Sequence, residues 1–264
     1  MNTVALVAAE PELQAAAAKL AADYQLSPTA TDHDFILELT RDGLQLRWSA
    51  RPDYQPLVLD YSRGRQAWRQ QLGGGKQEAV VRALGVAKGI RPRILDATAG
   101  LGRDGLMLAH AGCEVWLLER HPAIHALLDQ AVLHLQQYQQ AQEKVQWALN
   151  AHVLPRGSLL EYSEMPADLQ DLGIDAVYLD PMFPEREKSA AVKKDMQILQ
   201  HLAGADLDAD GLLPAALALA KHRVVVKRPA KAPFLAGQTP STQIASKKHR
   251  FDVYVKAPYV KSNR

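Results

Sequence analysis

Cysteine is almost absent from this chain. Among 264 residues there is one, Cys113, which excludes a disulfide framework and a cysteine-rich metal site. Such usage fits a reducing cytoplasm. There is no uninterrupted apolar run of about 18 residues, so no membrane-spanning helix is expected. The N-terminal MNTVALVAAEPELQ has no basic start, and Glu10 and Glu12 follow at once. It does not read as a secretory leader. His33, His121, His125 and His134 lack metal-ligand spacing, so no metal is expected. No Ser/His/Asp set stands out. Cys113 reads as a small core residue. What remains is ordinary globular composition, with 47% hydrophobic and 23% charged residues, which rules out wholesale disorder. The length suits one large domain with a small appendage.

Net charge is only +2, but it is unevenly spread. Lys221 to Arg264 carries +10, and the preceding residues carry −8. Such asymmetry points to a polyanionic partner, or to a solvated basic face. In this tail cations alternate with aromatics: Lys227, Arg228, Lys231, Lys247, Lys248, His249, Arg250, Tyr254 and Tyr259. The functional reading is RNA phosphate contact, assigned to Lys227, Arg228, Lys247, Lys248 and Arg250.

Three segments emerge along the chain. Residues 1–60 read as a small α/β or α+β subdomain: a strand at Thr3–Ala8, a helix from Pro11 to Tyr24, and alternating runs on either side of Asp42-Gly43. An Asp-Gly pair between such runs signals a hairpin. Leu57–Tyr61 reads as another strand. Residues 61–92 are basic, carry Trp68, and are broken by Gly73, Gly74 and Gly75. They read as a hinge, with a helix resuming from Gln77. From residue 93 to 264 strands and helices alternate. The strands are RILDA, EVWLLE, one within 145–160, AVYLD, RVVVK and FDVYVK. Helices are expected at Asp104–Ala111, Pro122–Gln140 and Ser189–Leu202. Alternating βα units predict a doubly wound, Rossmann-like α/β sheet, closed by a final antiparallel strand.

Two motifs sit at strand ends. The first is DATAGLGRDG, Asp96 to Gly105. Gly100, Gly102 and Gly105 satisfy G-x-G-x-x-G, and Glu119 ends the next strand. That pattern admits a nicotinamide-dependent oxidoreductase. However, Asp96 precedes the loop, and Asp104 stands where a pyrophosphate would meet the helix N-terminus. A cofactor without phosphate and with a cationic amino-acid end suits these carboxylates better, and S-adenosylmethionine is such a cofactor. Asp96, Thr98, Gly100, Gly102 and Glu119 are the candidate cofactor residues. A tight strand-helix turn capped by Asp96 is the plain structural alternative.

The second motif is LDPMFP, Leu179 to Pro184. In doubly wound sheets, ligands bind beyond the carboxyl ends of the strands. A purine amine is a poor nucleophile because its lone pair is delocalised. A carboxylate and a backbone carbonyl can accept its two N–H bonds, and positioning then supplies much of the rate. Asp180 would be the acceptor, Pro181 would set the backbone, and Phe183 would stack on an extruded base. The usual amine-methyltransferase motif has a second proline where Met182 stands.

DATAGLGRDG, LLER, YLDPMFP, KSAAVKKD (188–195), LDADGLL (207–213), RVVVKRP (223–229), KKHRFDVY (247–254) and GGGKQEAVVRALG (73–85) together resemble one family. It is the bacterial methyltransferases that modify one guanine on N2 near the 3′ end of 16S rRNA, at position 1516 in the usual rRNA numbering. The resemblance runs from about Leu59 to Ala257, and DPMFP is that family's own form of the amine motif. It implies an S-adenosylmethionine-dependent methyltransferase fold, with 16S rRNA or the small ribosomal subunit as partner. It also implies donor contacts by Arg103 and Asp104, by Glu119 and Arg120, by Gly157 and Ser158, and by Asp180. The family often has Ser-Ser where Gly157-Ser158 stands. Beside this reading stand the oxidoreductase and a non-catalytic RNA-binding ribosome-assembly factor.

Overall fold

The computed structural model describes residues 3–62, 79–142, 146–161, 171–182, 194–246 and 249–259. Its first unit is a four-stranded sheet, β1 (Val4–Ala8), β2 (Phe35–Thr40), β3 (Gly43–Trp48) and β4 (Leu57–Val58), in that order. Helix α1 (Gln14–Asp23) crosses from β1 toward β2, which pair in parallel. Asp42-Gly43 closes the expected hairpin, with Thr40 opposite Gly43. Phe35, Leu37, Leu44 and Leu46 are buried, as strict alternation requires of a sheet with one covered face. The expected strand at 57–61 shortens to Leu57–Val58.

The second unit is a seven-stranded mixed sheet. Its strands are β5 (Arg93–Asp96), β6 (Glu114–Leu117), β7 (Ala151–Val153), β8 (Ala176–Leu179), β9 (Arg223–Pro229), β10 (Thr242–Ala245) and β11 (His249–Val255). The spatial order is β10-β11-β9-β8-β5-β6-β7. Strands β5 to β9 pair in parallel, whereas β11 runs antiparallel to both β9 and β10. The chain leaves β5 outward through β6 and β7, then returns to the other side of β5 at β8. The order therefore reverses between β5 and β8, where such sheets bind ligands.

Helices cover both faces. One face carries α2 (Ala79–Ala83), α3 (Arg103–His110) and part of α4 (Pro122–Ala141), packed on Ile94, Val115, Tyr178 and Val225. The other carries α6 (Leu212–Leu219), packed on Leu95, Val177, Val224 and Val226. Helix α4 is buried on two sides: Leu128, Val132 and Leu135 face the main sheet, while Ile124 and Leu127 join the small sheet's core. Helix α5 (Lys194–Ala203) adds Ile198, Leu199 and Leu202 to that second core.

Within the expected hinge, the helix that resumes after Gln77 packs inward, with Val80, Val81, Ala83 and Leu84 buried in the main cluster. Trp68 and the glycines 73–75 lie outside the described residues. Helix α6 and edge strand β10 were not anticipated. Pro214 falls in the first turn of α6, where a missing N–H costs no hydrogen bond. Cys113 is fully buried, and burial pushes its thiol up to about 12, as a core residue. No helix among the described residues is long and apolar enough to cross a membrane.

The glycine-rich turn joins β5 to α3, and each glycine has its own reason. Gly100 and Gly102 adopt φ of +54° and +78°, a region costly for side chains. Gly105 has a helical backbone, but a Cβ there would lie 2.3 Å from Leu117 Cδ2 on β6. Its absent side chain lets α3 close on the sheet. Gly105→Ala is therefore expected to lower stability by about 1–3 kcal/mol through overpacking, read as a lower urea midpoint at unchanged slope.

Candidate active site

Side chains alternate between sheet faces along each strand. On β5, Ile94 and Asp96 share the α3 face. On β8 so do Ala176, Tyr178 and, just beyond the strand, Asp180; on β9, Val225 and Lys227. The same alternation sends Arg228 to the opposite face. Helix α3 begins with Arg103-Asp104 above this group. One cation thus meets several carboxylates at the strand ends. Lys227 Nζ lies 2.9 Å from Asp180 Oδ2 and 3.0 Å from Asp104 Oδ2. The Tyr178 hydroxyl donates to the same Asp104 oxygen at 2.6 Å.

Burial tends to lower an ammonium pKa, but here Asp180 and Asp104 outweigh it and Lys227 is pushed up. Lys227 is therefore a fixed positive charge. Asp180 is raised by burial, opposed by Lys227 and assisted by repulsion from Asp104. Its side chain remains 38% exposed, so it stands at the mouth of the site. Asp96 lies deeper, at 2% exposure. Burial, with repulsion from Asp104 and Asp180, pushes its carboxyl well above the usual range, against the Thr98 N–H and Lys227.

Beyond β6, Glu119 is buried and raised by burial, against hydrogen bonds that hold it ionised. Its carboxylate accepts the Gly100 N–H at 2.9 Å and the His121 N–H at 2.7 Å. Its remaining acceptor capacity is available to a hydroxyl. Gly157 N–H donates to the Glu119 carbonyl at 3.1 Å, which brings Gly157 and the buried Ser158 beside it. Thr98 Oγ1 accepts the Asp180 N–H at 2.6 Å. Arg103 interacts with the buried Tyr61, whose hydroxyl caps the Leu101 carbonyl. Arg120 pairs with Asp206 and Asp208.

The expected donor residues Asp96, Thr98, Gly100, Gly102, Arg103, Asp104, Glu119, Arg120, Gly157, Ser158 and Asp180 thus gather around the ends of β5, β6 and β8. A Cβ on Gly100 would meet only the Thr98 carbonyl, at 4.0 Å, so that face of the turn is open. Carboxylates line the approach, and Lys227 is already matched by two of them. A cationic, phosphate-free donor such as S-adenosylmethionine fits this set. A pyrophosphate does not, because Asp104 occupies the first turn of α3.

The expected RNA contacts fare differently. Lys227 is taken up by Asp104 and Asp180 at the strand ends. Arg228 is 3% exposed and donates to the Pro233 carbonyl at 2.9 Å. Arg250 pairs with the fully buried Asp252 at 2.9 Å and donates to the Ala230 carbonyl. Neither arginine is a free phosphate contact, since each serves carbonyls or an acid inside the fold. Tyr254 and Tyr259 are likewise tied to the Gln238 and Leu84 carbonyls. Lys247, Lys248 and Phe183 lie outside the described residues, and Pro181 directly follows Asp180. No group of three or more potential metal ligands occurs among the described residues. Sequence reasoning missed Tyr178 and Asp206. Tyr178 was legible in principle, since it sits two residues before Asp180 on the same strand face.

Comparison with known proteins identifies the family. A family model described as SAM-dependent methyltransferase matches residues 19–256. A crystal structure of a SAM-dependent methyltransferase from Neisseria gonorrhoeae is similar over 96% of both chains, with a TM-score of 0.72 at 31% identity. Fold and site define an S-adenosylmethionine-dependent methyltransferase. Ribosomal RNA small subunit methyltransferase J of Tolumonas auensis is 45% identical over 257 residues, covering 97% of this chain and 99% of that protein. Its counterpart in Vibrio campbellii is 46% identical over 261 residues, covering 96% and 97%. The chain belongs to the ribosomal RNA small subunit methyltransferase J family.

Two predictions follow from the charges. Asp96 holds its proton to higher pH when folded than when unfolded. Stability is therefore lost as pH rises from the unfolded carboxyl range through the folded value, and the loss is complete above it. Asp96→Asn removes this titration. Without methyl donor, it is expected to raise the melting temperature near pH 8 by roughly 2–4 °C per kcal/mol recovered, the gain shrinking toward about pH 4. Lys227→Gln removes the cation that favours the Asp180 carboxylate. The acid limb of the pH–kcat/KM profile is expected to move to higher pH; an unmoved limb would assign that limb to another group.

Proposed function

We propose that this protein methylates the exocyclic N2 of one guanosine in small-subunit ribosomal RNA, using S-adenosylmethionine. The observation that carries the reading is Asp180 at the mouth of a donor site, its carboxylate fixed by Lys227 and its backbone by Thr98. S-adenosylmethionine, when bound, supplies a methyl group made electrophilic by the sulfonium. Asp96, Asp104, Glu119 and the glycine turn would hold it. The chain's own work is on the amine. The Asp180 carboxylate accepts an N–H of N2, with the Pro181 carbonyl available for the second. As N2 gains carbon it loses a proton, and Asp180 is the nearest base to take it. Lys227 keeps Asp180 ionised until then, by Coulomb attraction. Phe183, next in the motif, suits stacking on the extruded base.

The guanine target rests on the family resemblance, because the carboxylate geometry alone would serve another aromatic amine. Both assembled small subunits and naked 16S rRNA fit this chemistry. A ribosomal substrate and one buried cysteine fit a cytoplasmic enzyme.

The test is methyl transfer to small subunits from cells lacking the enzyme, with the RNA digested to nucleosides and the product identified by mass. N2-methylguanosine is expected. Asp180→Asn should still bind S-adenosylhomocysteine but lose roughly 10²-fold or more in turnover. Donor binding with no product on any RNA would favour a non-catalytic assembly factor. Full turnover by Asp180→Asn would remove the assigned acceptor.

A further inference from the structure

We propose that Asp206 is a positioning residue for the methyl-accepting segment Asp180–Met182. The proposal rests on the methyl-transfer reading above. Asp206 lies 24 residues beyond Met182, in the turn after α5, yet it holds Met182 at both backbone groups. The Met182 N–H donates to Asp206 Oδ2 at 2.6 Å, and the Asp206 N–H donates to the Met182 carbonyl at 2.9 Å.

The segment has few other anchors. Once past Leu179 it leaves the sheet ladder. Pro181 has no N–H. Its two available N–H groups, on Asp180 and Met182, both go to side chains: Thr98 Oγ1 and the Asp206 carboxylate. An acceptor at the wrong distance loses rate steeply, since a displacement of about 1 Å can cost around 10²-fold. The bond from Met182 ends on a charged acceptor and is short, which makes it one of the stronger kind.

Asp206 is itself fixed. Its side chain is 15% exposed and pairs with Arg120, which also holds Asp208 at 2.8 Å. Arg120 follows Glu119, whose carboxylate grips the glycine turn through Gly100. Asp206 therefore joins the accepting segment to the donor side of the site through one carboxylate.

The two bonds of that carboxylate are separable. Asp206→Asn keeps an oxygen that accepts the Met182 N–H but loses the ion pair with Arg120. Asp206→Ala loses both. Turnover on small subunits, S-adenosylhomocysteine affinity and melting temperature would be measured for wild type and both variants. Asp206→Ala is expected to lower kcat by about 10- to 100-fold, with donor affinity within about threefold. Asp206→Asn should recover kcat to within about threefold of wild type. Wild-type kcat in Asp206→Ala would overturn the proposal. So would an Asn variant as slow as Ala, which would assign the effect to Arg120. Parallel loss of kcat, donor affinity and melting temperature in Asp206→Ala would reduce the residue to a structural one and also overturn it. A wild-type enzyme giving no product on small subunits would overturn the methyl-transfer reading itself, and this proposal with it.

Discussion

The site depends on one half-buried ammonium shared by two carboxylates. Lys227 stands between Asp104, on the helix above the sheet, and Asp180, on the segment that leaves it. Without that cation, Asp96, Asp104 and Asp180 would stand together uncompensated, and neighbouring like charges favour protonation of some of them. A protonated Asp180 cannot take a proton from an amine. The ammonium therefore does more than hold two elements together: it favours the ionised form of the carboxylate that the proposed function uses as acceptor. It does so incompletely, since burial and Asp104 still leave Asp180 raised.

This balance is made possible by strand periodicity. Asp96, Tyr178, Asp180 and Lys227 come from three different strands, and all fall on the face that α3 covers. Shifting any of these strands by one residue would turn its charged group toward the Leu95–Val177–Val224 core on the other side. The adjacent pair Lys227-Arg228 shows the consequence. One side chain completes the active site, and its neighbour is locked against the Pro233 carbonyl on the opposite face. Gly105 is part of the same constraint, because only a residue without Cβ lets α3 approach β6 closely enough to bring Asp104 over Lys227.

Much of this was legible in the sequence, for physical reasons. RILD, EVWLLE and AVYLD are short apolar runs, each ending in an acid. The order of acids at strand ends located Asp96, Glu119 and Asp180 without coordinates. The Asp-Gly pair fixed the small hairpin. Less legible were groups whose partners lie far along the chain. Lys227 and Arg250 looked like exposed cations because nothing in their neighbourhood reveals that Asp104, Asp180 or the turn at 230–233 will fold against them. Nothing in the sequence singled out Asp206, since its link to Met182 is made by a turn and not by periodicity. The part of the expected hinge that is described packs into the core, because α2 contributes Val80 and Val81 to the cluster that also holds α3.

The charge asymmetry takes on a different meaning once these partners are known. The basic tail supplies internal structure before it supplies surface: Arg223 lies against the Tyr259 ring at 4.4 Å, and the Lys256 ammonium meets the Leu217 and Ala220 carbonyls at the end of α6. The N-terminal unit is no substitute, since residues 1–60 hold nine acids against four Lys or Arg. A polyanion would be repelled by that balance, not gathered. The small sheet instead braces the segment that follows the accepting motif. Tyr54 donates to Gln197 Oε1 at 2.6 Å, and the Trp48 ring lies 4.4 Å from that of His201, both on α5. On this argument the small unit steadies α5, the helix that precedes the Asp206 turn.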